Sequence, residues 1–492
     1  MQFEFPEITH SVCKRIHQAG GLGLVVGGAV RDTLMGLSPE SFKDIDIEVH
    51  GLNTEQLETI VQDLNPKAVG KAFGVVTLDQ RLTDGVSVDL NLPRKDNKMG
   101  DGHKGFEVEF ITGYRRDMSE NELLKLIEEC ALRRDLTMNT PAYNVLDSKL
   151  YDPFNGHKDI MDKILRATDP HKWAEDPLRG LRVAQFASRF EFEVDALLKQ
   201  LARVASASSS ELPKERKFEE WFKMLTKGTK PSIGLEFMRD TGWLGEFPQL
   251  TNQIGVLQNP DHHPEGDVWN HMMYVVDAMA QVRHLVPEKW FVAFCFAVML
   301  HDVGKVKMTV TDKHVESGIG PDGKPLKENQ GLYTAYGHDI YGTVPGLEFM
   351  QLLTNDKKLI EMTLKIIRWH MAPYELRDAN LPAFKRLARE VPLNVISYMS
   401  LCDHCGRPHR GPGDPDLDAK YSNNCMEKFH EIGPEPIKSL LMGRDLIQAG
   451  IKPGPVFKTA LDAAYEAQMD DDTLSKAELL SVAVLATIPK EI

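Results

Sequence analysis

The chain has 492 residues, 42% of them hydrophobic and 26% charged, an ordinary globular composition with more chain than a single compact core accommodates. Its 58 Lys/Arg against 72 Asp/Glu leave a formal charge of -14, which excludes binding nucleic acid through the whole surface and confines any RNA contact to a local basic face or a metal-lined cleft. Six scattered cysteines exclude a disulfide framework and read as reduced packing thiols, with Cys402 and Cys405 flanking Asp403.

The first seven residues have neither a basic start nor a long apolar centre, so a cytoplasmic protein without a membrane partner is expected. Residues 24–26, 75–78 and 86–90 read as short strands and 121–132 as an amphipathic helix, which makes the first part of the chain an α/β unit. Within it, Gly27 and Gly28 stand close before Arg31, and Asp44 and Asp46 follow with Ile45 between them. A glycine pair lets backbone amides approach phosphate, and Arg31 adds positive charge. Residues 43–49 alternate polar and apolar, so a strand there puts Asp44 and Asp46 on one face. Residues 86–92 alternate in the same way and expose Asp89. Three carboxylates suit two divalent ions roughly 3.5–4 Å apart, with Asp44 and Asp46 bridging them and Asp89 completing the shell, to align a hydroxyl, an α-phosphate and a pyrophosphate leaving group. The chemistry these residues imply is metal-dependent nucleotidyl transfer. The glycine-rich segment 94–105 is expected to be a mobile loop.

Beyond residue 165 the strand signal fades. From 166 to 230 there are 13 Lys/Arg against 10 Asp/Glu, the best place for a phosphate backbone in an acidic chain. Residues 206–210 with Pro213 read as a loop, 243–263 as a joint, and 318–331 as an exposed loop. The apolar run 290–300 is too short for a bilayer and stops at His301-Asp302. His271, His301, Asp302 and Asp403 are ligand types for a divalent transition metal, and His338 with His370 could hold a second ion. Asp470, Asp471 and Asp472 are expected to cap a terminal helix.

Four ordered motifs carry a family resemblance. The glycine–arginine run with Asp44 and Asp46 resembles the head signature of class II tRNA nucleotidyltransferases, the CCA-adding enzymes and their bacterial poly(A) polymerase relatives. Arg133-Arg134-Asp135-Leu136-Thr137-Met138-Asn139 resembles the RRDxTxN segment of that family, Asp152-Pro153 through Gly156 and Asp159 its DPxxGxxD segment, and residues 175–182 its EDPLRxLR segment. The resemblance implies nucleotide contacts from Gly27, Gly28, Arg31, Arg133, Arg134, Asp135, Asn139, Asp176, Arg179 and Arg182. Asp176 and Arg179 would pair with the edges of cytosine and adenine, so that protein rather than nucleic acid serves as template. If 176–182 is helical, Asp176, Arg179 and Arg182 share one face. Pro141, where relatives read Ala-Leu after the asparagine, departs from the pattern and removes an amide donor. The segment after Asp89 matches a loop that helps such enzymes switch from C to A addition. The His271, His301-Asp302, Asp403 order resembles HD-domain metal phosphohydrolases, and residues 441–468 resemble the carboxy-terminal segment of bacterial CCA-adding enzymes with an HD domain.

The expected fold is therefore α+β: a nucleotidyltransferase α/β head with a small mixed sheet at 1–165, a helical neck for base selection and RNA binding at 166–255, an HD domain at 256–410 and a helical tail at 411–492. The expected activity is template-independent addition of CCA to the 3′ end of tRNA from CTP and ATP with Mg²⁺, with a second phosphatase or 2′,3′-cyclic phosphodiesterase activity. Poly(A) synthesis, A-only or CC-only addition on the same scaffold is the alternative. An HD phosphohydrolase with a regulatory nucleotide-binding head, or an RNA-binding scaffold with vestigial sites, comes after it. No DNA partner is expected, and oligomeric state is not legible in the residues.

Overall fold

A computed structural model describes residues 3–37, 44–68, 74–83, 85–98, 106–328, 330–407, 415–435 and 437–487. Contacts divide the chain into two units, Met1–Glu246 and Phe247–Ile492.

Up to residue 151 the strands of the first unit are β1 (Leu22–Val26), β2 (Asp44–His50), β3 (Lys67–Ala68), β4 (Val75–Thr77), β5 (Ser87–Asn91), β6 (Arg94–Lys98), β7 (Phe106–Phe110), β8 (Ala142–Asn144) and β9 (Lys149–Tyr151). Seven of them form a sheet in the order β3-β4-β5-β2-β1-β8-β9. The β2–β5 pair is parallel and the other neighbours are antiparallel, so the sheet is mixed, as expected. Every residue of β1 is buried, which is why it reads as an unbroken apolar run, whereas β5 alternates half-buried and buried positions. Before and between the strands lie α1 (Glu7–Gln18), α2 (Gly28–Leu34), α3 (Thr54–Ile60) and α4 (Glu120–Ala131). Ser119 and Glu122 cap α4 reciprocally, and the helix buries Leu126, Ile127, Cys130 and Ala131. Ile127 joins Leu22, Leu24, Val26, Ala142 and Tyr151 in the core beneath the sheet.

Residues 94–98 correct an expectation: they are strand β6, paired antiparallel with β7 in a two-stranded ribbon, whose backbone amides and carbonyls satisfy each other. Residues 99–105 lie outside the described residues. Beyond α5 (Gly156–Met161) the unit is mostly helical: α6 (Leu178–Phe190), α7 (Ala196–Ser206), α8 (Lys214–Lys227) and α9 (Pro231–Asp240), with α8 and α9 packed on α6, and the short strands β10 (Ile164–Leu165) and β11 (Glu193–Val194) pair parallel beside them. Asp176 precedes α6, with extended backbone, so the expected single helical face of Asp176, Arg179 and Arg182 is not formed. Pro177 starts the helix one residue later, and the Asp176 carboxylate accepts the Leu178 amide at 3.2 Å.

The second unit is helical among the described residues. The Glu288–Leu300 helix is buried throughout 293–300, which turns the apolar run into a central core element. No helix among the described residues is long and apolar enough to cross a membrane. Cys402 is buried but Cys405 is exposed, so only the first packs as expected. At the tail, Leu446, Ala460, Ala464 and Leu479 share a small core. The terminal Lys476–Leu485 helix is capped by Ser475 with Glu478, not by the acidic triplet. Asp472 instead accepts Lys385 Nζ at 2.8 Å and Asp470 accepts Arg386 Nη2 at 2.6 Å.

Candidate active site and metal centre

Strand β2 alternates exposed Asp44 and Asp46 with buried Ile45 and Ile47, so core burial of the isoleucines aims both carboxylates away from the core. The parallel β2–β5 register sets Asp46 directly beside Asp89, about 4.8 Å apart between backbones. Neighbours hold both in place: Thr77 Oγ1 donates to Asp89 Oδ1 at 2.6 Å, and Asn91 Nδ2 to Asp46 Oδ1 at 3.2 Å. Solvent reaches Asp46, yet desolvation by the protein around it raises its pKa above the usual carboxylate value; the charge of Asp89 adds to this and Arg134 opposes it. Gly27 turns the chain from β1 into α2 with φ +73°, and a Cβ there would lie 3.4 Å from both Asp46 Oδ2 and Arg134 Nη1. Only glycine combines that backbone with that approach.

The motif residues join into one network. Asn139 Oδ1 accepts Arg31 Nη1 at 2.9 Å, and Asn139 Nδ2 donates to Asp135 Oδ1 at 2.9 Å. Asp135 Oδ2 then accepts Arg182 Nε at 2.6 Å. Burial pushes the Asp135 pKa up, but Arg182 and Asn139 prevail and hold it at about 2. Arg179 Nη2 donates to the Arg133 carbonyl at 2.8 Å, and Asp176 lies 3.5 Å from Arg216. Arg31 is 5% exposed, bonded to Asp32 at 2.7 Å and stacked on Phe186 and Phe190. It is thus a buried brace between α2 and α6 rather than the open phosphate contact expected from its position. Thr77, Asn91 and Glu48 belong to the site and were not singled out in the sequence, although Glu48 continues the alternation of Asp44 and Asp46.

In the second unit, His271 comes from the Val268–Val282 helix, His301 and Asp302 follow the Glu288–Leu300 helix, His338 begins a one-turn helix, His370 follows Lys357–Trp369, and Asp403 sits in Leu393–Cys405. The structure brings all six together. His271 Nε2 is 2.9 Å from Asp403 Oδ1. Asp302 Oδ2 is 3.3 Å from His301 Nε2, and its Oδ1 is 3.2 Å from His338 Nε2 and 3.8 Å from His370 Nε2. Asp302 therefore faces two ligand groups, His271 with His301 and His338 with His370. Three of the rings pin Nδ1 to a carbonyl: His301 to Val298 at 2.8 Å, His338 to Ala335 at 2.8 Å and His370 to Ile367 at 2.6 Å. Such contacts assign the proton to Nδ1 and leave Nε2 a lone pair. Burial, followed by the neighbouring histidines, lowers the His370 pKa to about 3, so that ring is neutral. His338 Nε2 and His370 Nε2 nonetheless sit 3.0 Å apart, and two lone pairs at that distance call for a cation. His301 Nε2 is buried without a hydrogen-bond partner, as a donor aimed at a metal is. Glu265, which the sequence did not single out, lies 2.7 Å from His271 Nδ1 and 2.8 Å from His263 Nδ1. Lys305 Nζ is 2.6 Å from Asp302 Oδ2.

The family model of the poly A polymerase head domain matches residues 24–166. The multifunctional CCA protein of Neisseria meningitidis serogroup C is 32% identical over 389 residues, which cover 78% of this chain and 78% of that protein. The protein of the same name from Acinetobacter baumannii is 28% identical over 450 residues, covering 88% and 97%. The Bacillus stearothermophilus CCA-adding enzyme in complex with CTP aligns with a TM-score of 0.64 at 19% identity, over 96% of this chain and 95% of that chain, a likeness of fold. With that identity sustained over more than three quarters of both chains, the protein belongs to the bacterial CCA-adding enzymes, tRNA nucleotidyltransferases that carry the name multifunctional CCA proteins.

Proposed function

We propose that the protein rebuilds the 3′-terminal CCA of tRNA from CTP and ATP, without a nucleic-acid template, in a head at 1–165 with base selection in a neck at 166–255. The observation that carries the reading is the Asp46–Asp89 register across parallel strands, with Asp44 on the same face and Gly27 and Arg134 at their edge. Asp44, Asp46 and Asp89 would hold Mg²⁺, which supplies charge for the pyrophosphate leaving group and favours ionisation of the attacking hydroxyl. Gly27, Gly28, Arg133 and Arg134 line the triphosphate. Asn139 and Asp135 orient Arg31 and Arg182, so the base-selecting helix and the glycine turn move as one piece. Asp176 and Arg179 read the base edge, and the basic surface of 166–230 meets the tRNA backbone. Incubation of tRNA ending before C, CC or CCA with labelled CTP, ATP and Mg²⁺ tests this. Addition that stops after CCA supports it; long A tracts or A-only or CC-only products replace it with the alternative on the same scaffold.

The second unit is proposed to be a metal-dependent phosphohydrolase, with an HD domain at 256–410 and a helical tail at 411–492. His271, His301, Asp302 and Asp403 would hold one divalent transition metal, and Asp302, His338 and His370 a second. Such ions bind phosphoryl oxygen and lower the pKa of bound water. The donors suit them: imidazoles whose Nδ1 atoms are fixed by backbone carbonyls, around a carboxylate kept well below its usual pKa, since His301 and Lys305 outweigh the opposing effect of burial. Glu265 orients His271, and Lys305 holds Asp302.

A further inference from the structure

We infer that Glu48 is a positioning residue of the nucleotidyl-transfer site: a buried carboxylate that holds Arg133 and Arg134 back from the metal-binding aspartates and presents them to the triphosphate. The inference rests on the head-site reading above and deepens it.

Glu48 lies two residues beyond Asp46 on β2 and is 3% exposed, where a carboxylate persists only with partners. Its Oε2 is 3.4 Å from Arg133 Nη2 and 3.9 Å from Arg134 Nη2. Its other oxygen is 3.2 Å from His50 Nε2. Adjacent guanidiniums repel, and a carboxylate within their reach is Asp46, whose Oδ2 shares the Gly27 turn with Arg134 Nη1. Without a charge behind them, the arginines would swing onto Asp46 and compete with the metal for the same oxygens. Glu48 offers a second anchor on the same strand, so one guanidinium edge is tied inward and the remaining donors stay available for phosphate. The strand alternation that aims Asp46 at the metals thus also places the group that keeps cations off it.

Glu48→Gln keeps the shape and removes the charge. Steady-state kinetics with CTP and ATP on tRNA lacking its end should give a rise in nucleotide KM of about tenfold, the scale of one lost charge-assisted hydrogen bond. The Mg²⁺ concentration for half-maximal rate should rise with it, while kcat at saturating nucleotide and Mg²⁺ and the KM for tRNA stay within about twofold. Combining it with Arg134→Lys should cost less than the product of the single effects, because both act on one contact. A uniform fall in kcat with unchanged nucleotide KM and Mg²⁺ requirement, or independent effects in the double variant, would overturn the proposal. If Glu48→Gln does not fold, Arg134→Lys, which leaves Glu48 in place, should by itself raise the nucleotide KM without raising the Mg²⁺ requirement; an unchanged KM is equally fatal. Asp46→Asn separates the two levels: an active Asp46→Asn enzyme sinks the head-site reading, whereas an inactive one beside a Glu48→Gln enzyme with wild-type KM sinks only the role of Glu48.

Discussion

Gly304, two residues after Asp302, sets a sharp test of the proposed paired metal site. Its φ of -68° is open to any residue, so what it lacks is space: a Cβ there would lie 2.0 Å from the His338 carbonyl oxygen and 2.8 Å from the Gly342 amide nitrogen. To reach ordinary contact at 3.4 Å, the backbone that carries His338 must retreat by about 1.4 Å. Metal–ligand bonds tolerate only about 0.2 Å, so His338 leaves the Asp302 Oδ1 group while His271, His301 and Asp403 stay in place. Overpacking of this kind costs about 1–3 kcal/mol, less than the roughly 5–15 kcal/mol that keeps a domain folded, so the unit should remain folded. Elemental analysis of purified Gly304→Ala protein should therefore find half the divalent metal of wild type, and a phosphate-release assay should find most phosphohydrolase activity gone. CTP and ATP incorporation should be unchanged. His301→Ala with Asp302→Ala should lose all of the metal in this unit and still add nucleotides. A Gly304→Ala protein with its full metal complement and full hydrolysis, or a wild type that binds no metal here, would refute the reasoning.

Two further outcomes follow from the head and neck. Asp176→Ala with Arg179→Ala should preserve Mg²⁺ dependence but lower discrimination against UTP and GTP at least about tenfold, the scale of one lost hydrogen-bonding contact; misincorporation on tRNA ending in CC measures it, and unchanged selectivity argues against protein templating. Asp135→Asn should destabilise by about 2–3 kcal/mol, because Arg182 loses its buried partner. The Asp135 pKa falls from 3.8 to about 2 on folding, so its contribution is complete above the unfolded value and declines as pH falls toward the folded one. Denaturant melts should find a constant gap between native and Asp135→Asn proteins from pH 7 to about 4 and a narrowing gap below; a gap that widens on acidification contradicts the assignment.

Much of the chemistry was legible in local pattern. Alternation in β2 and β5 identified Asp44, Asp46 and Asp89 as residues on polar strand faces because a two-residue period is a property of the strand itself. Element boundaries at special residues were less legible. Asp176 was read into a helix that Pro177 begins after it, and β6 was read as part of a mobile loop because its pairing partner, β7, is not adjacent to it in the sequence. The acidic triplet 470–472 was taken for a cap when its partners, Lys385 and Arg386, lie more than eighty residues away in sequence. Glu265 had no signal at all: it is one acid in a loop until folding sets it against His271.

By itself, then, the order of residues determined which groups are candidates for the chemistry: three carboxylates at strand spacing, a glycine pair, four motifs in sequence and a set of imidazoles around His301-Asp302. Tertiary structure decided what each group faces. It turned Arg31 inward under Phe186 and Phe190, chained Asn139, Asp135 and Arg182 into one brace, set Glu48 behind two arginines, and pointed the two oxygens of Asp302 at different pairs of histidines. The division has a physical reason. Backbone periodicity acts over two to four residues and is written locally, whereas the burial that strips a carboxylate of water and selects its partner depends on which distant elements pack against it.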